Sequence, residues 1–125
     1  MKIQPHILIA EEDAFLGKIY KKKLEEFGYK VTIVDNGESC IREVQKKNPR
    51  LLVMDILLPR VDGFQVIETI KKNTKTEHIP IVVFTHLGQK EDVKKALSLG
   101  ASTYLLKSHA KPEDLVAKVQ EILHK

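Results

Sequence analysis

Short apolar runs of strand length recur along the chain at Ile7 to Ala10, Val31 to Val34, Leu51 to Met54, Ile81 to Phe84 and Tyr104 to Leu106. The segments between them carry apolar residues at helical spacing instead. The first has Leu16, Tyr20, Leu24 and Phe27, the second Cys40, Ile41 and Val44, the third Phe64, Ile67 and Ile70, and the fourth Val93, Ala96 and Leu97. A fifth follows the last strand with Leu115, Val116, Val119, Ile122 and Leu123. Gly28 and Gly100 stand just past the first and fourth helical patterns, where a C-terminal cap favours positive φ, and Pro112 suits the first turn of the fifth. Several strands are apolar on consecutive residues, which predicts burial on both faces, as in a parallel sheet flanked by helices. Strict alternation of strand and helix, with right-handed crossovers, predicts an α/β doubly wound fold, flavodoxin-like (βα)5, with strand order 2-1-3-4-5.

These units use nearly all of the 125 residues, so one domain over 1–125 is expected. Hydrophobic residues at 42% and charged residues at 30% suit a packed core with a charged surface and exclude disordered and fibrous classes. No apolar run approaches the ~20 residues that span a bilayer, and the N-terminus lacks a secretory pattern, so a cytoplasmic protein without membrane insertion is expected. The net charge of +4 raises the question of nucleic acid. The lysines answer it: Lys21 to Lys23, Lys46 and Lys47, Lys71 and Lys72, and Lys94 and Lys95 are scattered over helical segments with few aromatics between them, so no direct nucleic-acid contact is expected.

In such a fold, sites form beyond the carboxyl ends of the strands, near the switch between the first and third. The first strand runs into Glu11, Glu12 and Asp13, and the third into Asp55. Glu12, Asp13 and Asp55 are expected to converge, at a repulsive cost that a hard divalent cation such as Mg²⁺ would relieve. Taken singly, each acid is accounted for by a helix N-cap or a helix-dipole partner. The fourth strand ends at Thr85 and the fifth leads to Lys107, which add a hydroxyl donor and a mobile ammonium to the same rim. Acids, metal, hydroxyl and lysine together suit phosphoryl transfer to a carboxylate. Other chemistries lack a signature: the five histidines show no zinc spacing, Cys40 is alone, and there is no phosphate-binding glycine loop. A flavin phosphate would meet three acids where that fold offers donors.

With I-L-I-A-E-E-D at 7 to 13, L-V-M-D-I-L-L-P-R-V-D-G at 52 to 63, V-V-F-T at 82 to 85 and Y-L-L-K at 104 to 107, the chain resembles the receiver domain of two-component response regulators over essentially its full length. The resemblance implies that Asp55 is the phosphoacceptor and that Glu12, Asp13 and the backbone carbonyl of Leu57 bind Mg²⁺ with it. It implies that Lys107 pairs with the phosphoryl group, that Thr85 is the switch hydroxyl and that Tyr104 is the aromatic switch. The implied partners are a sensor histidine kinase or histidine phosphotransfer protein, and a downstream protein on the face formed by the fourth helix, fifth strand and fifth helix. Such a domain modifies itself and is not an ordinary enzyme.

Two departures stand out. The family's proline after the lysine is Ser108 here, and because a non-proline cis bond costs ~3 kcal/mol, a trans or shifted loop is expected. A small residue usually follows the switch hydroxyl, whereas here it is His86, which could crowd the phosphoryl group's access. The positions that tune hydrolysis in the family carry Leu57 and Leu87, which cannot hydrogen-bond an attacking water, so a long-lived aspartyl phosphate is expected. The alternatives are a pseudo-receiver that only binds protein, and the receiver portion of a longer regulator or hybrid kinase.

Overall fold

Five apolar runs form strands in the computed structural model, which describes residues 3–124: β1 (His6–Ala10), β2 (Lys30–Val34), β3 (Leu51–Met54), β4 (Ile81–Thr85) and β5 (Thr103–Leu106). Between and after them lie α1 (Ala14–Glu26), α2 (Gly37–Lys47), α3 (Gly63–Lys72), α4 (Lys90–Leu99) and α5 (Pro112–Leu123). All pairings are parallel, in the order β2-β1-β3-β4-β5, as the alternating pattern predicts. β1, β3 and β4 are the inner strands. Nearly all their residues are buried, which is why their sequences are apolar on consecutive positions.

Side chains alternate across the sheet and divide the core in two. Ile7, Ile9, Val53, Val82 and Phe84 pack with Tyr20, Leu24 and Leu115 under α1 and α5. Leu8, Ala10, Leu52, Met54, Ile81 and Val83 pack with Val44, Val66, Ile67 and Ala96 under α2, α3 and α4. Cys40 is fully buried in that second layer, and burial pushes its thiol up to about 12.

Gly28 and Gly100 adopt φ +91° and +118° past α1 and α4, and Pro112 opens α5. Two residues depart from the helical pattern. Phe27 lies beyond the last turn of α1 and is exposed, while Tyr29, just past the glycine, enters the core in its place. Leu97 is also exposed, so α4 buries only Ala96 fully. Among the described residues no helix is long and apolar enough to cross a membrane.

Candidate functional site

The ladder of backbone hydrogen bonds runs one residue past three strands and thereby fixes the rim where they end. Glu11 N–H donates to Val34 O at 2.9 Å, Asp55 N–H to Ala10 O at 3.0 Å and Lys107 N–H to Thr85 O at 2.8 Å. The residue after each strand is thus held almost as firmly as the strand itself. Glu11 and Asp55 are buried, at 5% and 7% exposure, and Thr85 is fully enclosed.

Both oxygens of Asp55 are engaged. Oδ1 accepts from Thr85 Oγ1 at 2.5 Å and from the Leu57 N–H at 3.0 Å, and Oδ2 accepts from Lys107 Nζ at 2.8 Å. Lys107 Nζ also donates to Glu11 Oε1, so one ammonium bridges two buried carboxylates. Burial alone would lower the lysine's pKa. The hydrogen bonds and charges of Asp55 and Glu11 outweigh it and raise the pKa, which keeps Lys107 cationic.

Thr85, Lys107 and Asp55 therefore meet as their positions after neighbouring strands predict. The expected convergence of Glu12 and Asp13 on Asp55 needs correction. Asp13 is the N-cap of α1, its Oδ1 accepting from the N–H groups of Phe15 and Leu16, and Glu12 is exposed. The acid that joins the cluster is Glu11. Side chains alternate along an extended strand, so the residue after Ala10 shares the face of Ile7 and Ile9, and that face leads to Lys107. Continuing that alternation by one residue would have found it. Glu11 Oε2 further accepts from the Asp13 N–H at 3.1 Å, which ties the buried acid to the start of α1. Among the described residues no three acidic, histidine or cysteine side chains form a ready metal cage. The donor set still fits a hard cation: Glu11 and Asp55 are buried oxygen donors already sharing a positive charge, and the next residue, Glu12, is exposed with no partner among the described residues.

From Thr85 the bonding continues away from Asp55. Leu87 N–H donates to Thr85 Oγ1 at 3.3 Å, and Tyr104 Oη donates to Leu87 O at 2.5 Å. Burial, with the charges of Asp92 and Asp55, pushes the Tyr104 phenol up to about 12, so it remains a donor. Asp55, Thr85, the Leu87 peptide and Tyr104 form one connected path to the α4 and β5 side. Asp62 caps α3 through the N–H groups of Phe64 and Gln65. The bond after Lys107 is trans, since no cis peptide occurs among the described residues. The turn is closed by His109 and Ala110 N–H groups donating to Leu106 O at 3.0 and 2.9 Å. His86 is exposed. It lines a shallow cleft with Leu16, Tyr20, Phe84 and Lys107.

The sequence matches the response regulator receiver domain over residues 7–120. It is 33% identical over 119 residues to a Galdieria sulphuraria protein named probable transcriptional regulator ycf27, covering 95% of this chain and 45% of that protein. The chain spans about half the length of the curated relatives it matches. Among solved structures it is similar to the signal receiver domain of a signal transduction histidine kinase from Syntrophus aciditrophicus. Identity there is 30%, with TM-score 0.87 and coverage of 95% of this chain and 89% of that one. It is also similar to the Mn²⁺-bound form of response regulator Rcp1, with 27% identity, TM-score 0.79 and coverage of 94% and 91%.

Proposed function

Because the chain belongs to the receiver domain family of response regulators, signalling modules of two-component systems, we propose that it is a switch that accepts a phosphoryl group on Asp55. The observation that carries this reading is the buried Asp55 carboxylate, held between Lys107 on one oxygen and Thr85 on the other. One Asp55 oxygen forms a bond to phosphorus as the bond from phosphorus to a donor histidine nitrogen breaks, and the imidazole leaves with a proton. Lys107 turns its ammonium from the carboxylate toward the phosphoryl oxygens, and Thr85 follows with its hydroxyl. Glu11, Glu12, Asp55 and the Leu57 carbonyl would hold Mg²⁺, with Asp13 retained as the cap of α1. The metal, when bound, supplies positive charge to the phosphoryl oxygens.

Receiver domains interact with histidine kinases, and a sensor kinase or a phosphotransfer protein is the proposed donor. A charge change at Asp55 would reach Tyr104 through Thr85 and the Leu87 peptide. The face of α4, β5 and α5 is the proposed output surface. Its helix α4 suits that role, because it has one fully buried residue and no side-chain cap from Gln89.

The test is intact-mass measurement after incubation with Mg²⁺ and phosphoramidate. Wild type should gain one phosphoryl group and Asp55→Ala none. Wild type without an adduct would leave only a protein-binding role, and an adduct that survives in Asp55→Ala would place the acceptor elsewhere.

A further inference from the structure

The loop from Asp55 into α3 contains a residue with no part in the chemistry above. Arg60 has φ +71°, inside the left-handed region that bulky side chains avoid. The other non-glycine residue there among those described, Asn48, is the C-cap of α2, where asparagine is at home. Arg60 is instead the centre of a three-residue turn closed by Val61 N–H donating to Pro59 O at 2.9 Å. Positive φ at such a centre is the rare, strained form. The same Pro59 carbonyl accepts from Gly37 N–H at 3.1 Å. A Cβ on Gly37 would sit 1.9 Å from Val61 O, so the turn is clamped against the start of α2. Its shape does not depend on the Arg60 side chain, and glycine would fit with less strain.

That side chain is exposed and has no hydrogen bond, ion pair or ring contact with any described residue. The neighbouring acid, Asp62, is engaged with the N–H groups of α3. No described residue thus gives the guanidinium a contact that offsets the strain, which points to a partner outside the chain. Leu57, 55% exposed, lies on the same loop between Arg60 and the acceptor, so a protein reaching Asp55 passes this loop.

We propose that Arg60 is a docking contact for an acidic side chain on the protein that donates the phosphoryl group; this rests on Asp55 being the acceptor. A guanidinium fork matches a carboxylate with two parallel N–H···O bonds, and a small phosphodonor such as phosphoramidate offers no carboxylate.

The test compares two donors on wild type, Arg60→Gly, Arg60→Ala and Arg60→Lys. With phosphoramidate and Mg²⁺ all four chains should label at the same rate. With a phosphorylated histidine kinase core chosen because it labels wild type, Arg60→Gly and Arg60→Ala should label about fivefold more slowly. Arg60→Lys should recover part of the rate, and added salt should narrow the gap. Arg60→Gly should also melt at a higher temperature, since it relieves the positive φ. The proposal is overturned if Arg60→Gly matches wild type with the kinase, loses rate equally with both donors, or melts lower. It is also overturned if phosphoramidate labels wild type but no kinase in a panel does. Wild type that phosphoramidate cannot label instead defeats the assignment of Asp55, and this proposal with it.

Discussion

Where the strands begin, hydrogen bonds run mainly to backbone or neutral partners; where they end, two carboxylates, an ammonium and a hydroxyl are buried against one another. At the first end Lys30 N–H reaches Pro5 O, Arg50 N–H reaches His6 O, and Leu52 N–H reaches Pro80 O. His6 Nε2 pairs with Thr32 Oγ1, and Thr76 Oγ1 donates to Ile70 O. The ammonium of Lys71 donates to the carbonyls of Glu77 and Ile79 and needs no counter-ion in that contact. At the far end Glu11, Asp55 and Lys107 leave 6%, 9% and 5% of their side chains exposed, so each charge depends on its neighbours. Taking charge out of water is costly unless it is paired and hydrogen-bonded. The first end follows the economics of folding alone. The second keeps a buried charge set of the kind that well-packed apolar residues often replace without loss of stability, as the proposed phosphoryl-accepting site requires.

The sharpest way to break this contrast is to remove one ammonium from each end. Lys107→Ala leaves two buried carboxylates without a cation and should lower unfolding free energy by about 3 kcal/mol in urea. Lys71→Met loses hydrogen bonds to carbonyls and should cost about 1 kcal/mol. Equal losses would erase the distinction. Mg²⁺ should restore more stability to Lys107→Ala than to wild type, because it replaces the missing positive charge.

A pair of hydroxyl deletions repeats the comparison at smaller scale. Thr85→Val removes a donor to an ionised oxygen and should cost about 2 kcal/mol, whereas Thr76→Val removes a donor to a peptide carbonyl and should cost about 1 kcal/mol. Chemical denaturation of both variants measures the difference.

Alkali should act through Lys107, whose pKa its two carboxylate partners raise, and also through groups outside the charge cluster. Cys40 keeps its proton in the fold to about 12, above its ordinary value of 9.0, and Tyr104 to about 12, above 10.0. A folded-state pKa above the unfolded one means stability is intact below the unfolded value and lost as pH rises through the folded one. Melting temperature should therefore fall between pH 9 and 12. Tyr104→Phe should flatten part of that slope, and a melting temperature independent of pH over this range would contradict it.

The smallest stability change is expected at the exposed Leu57. Leu57→Asn should shift unfolding by less than about 0.5 kcal/mol. By giving water a partner it should nevertheless shorten the lifetime of labelled Asp55, measured as loss of phosphoprotein by intact mass.

Strand positions were legible because inner strands of a parallel sheet are apolar on both faces, and Asp55, Thr85 and Lys107 could be located as the residues that end or follow them. The acids were harder. Three in a row after β1 differ by single positions, and one step along an extended chain moves a side chain to the opposite face. Asp13 carried a second signal, an acid just ahead of a helix, which in this chain means a cap. The path from Thr85 to Tyr104 was invisible for another reason. It runs through the Leu87 peptide group, which every residue type would supply equally. The strain at Arg60 likewise belongs to a backbone angle set by contacts with α2, which no local composition encodes.

The Tyr104 hydroxyl, bonded to Leu87 O, has an optical consequence. The chain contains three tyrosines and no tryptophan, so its ultraviolet emission comes from tyrosine alone, unmasked by indole. Of the other two, Tyr20 packs tilted against Phe84 and Tyr29 stacks on His124, both away from the Leu87 peptide. A change in the Tyr104 hydrogen bond would therefore appear directly in the emission of the unlabelled protein, and Tyr104→Phe would isolate it.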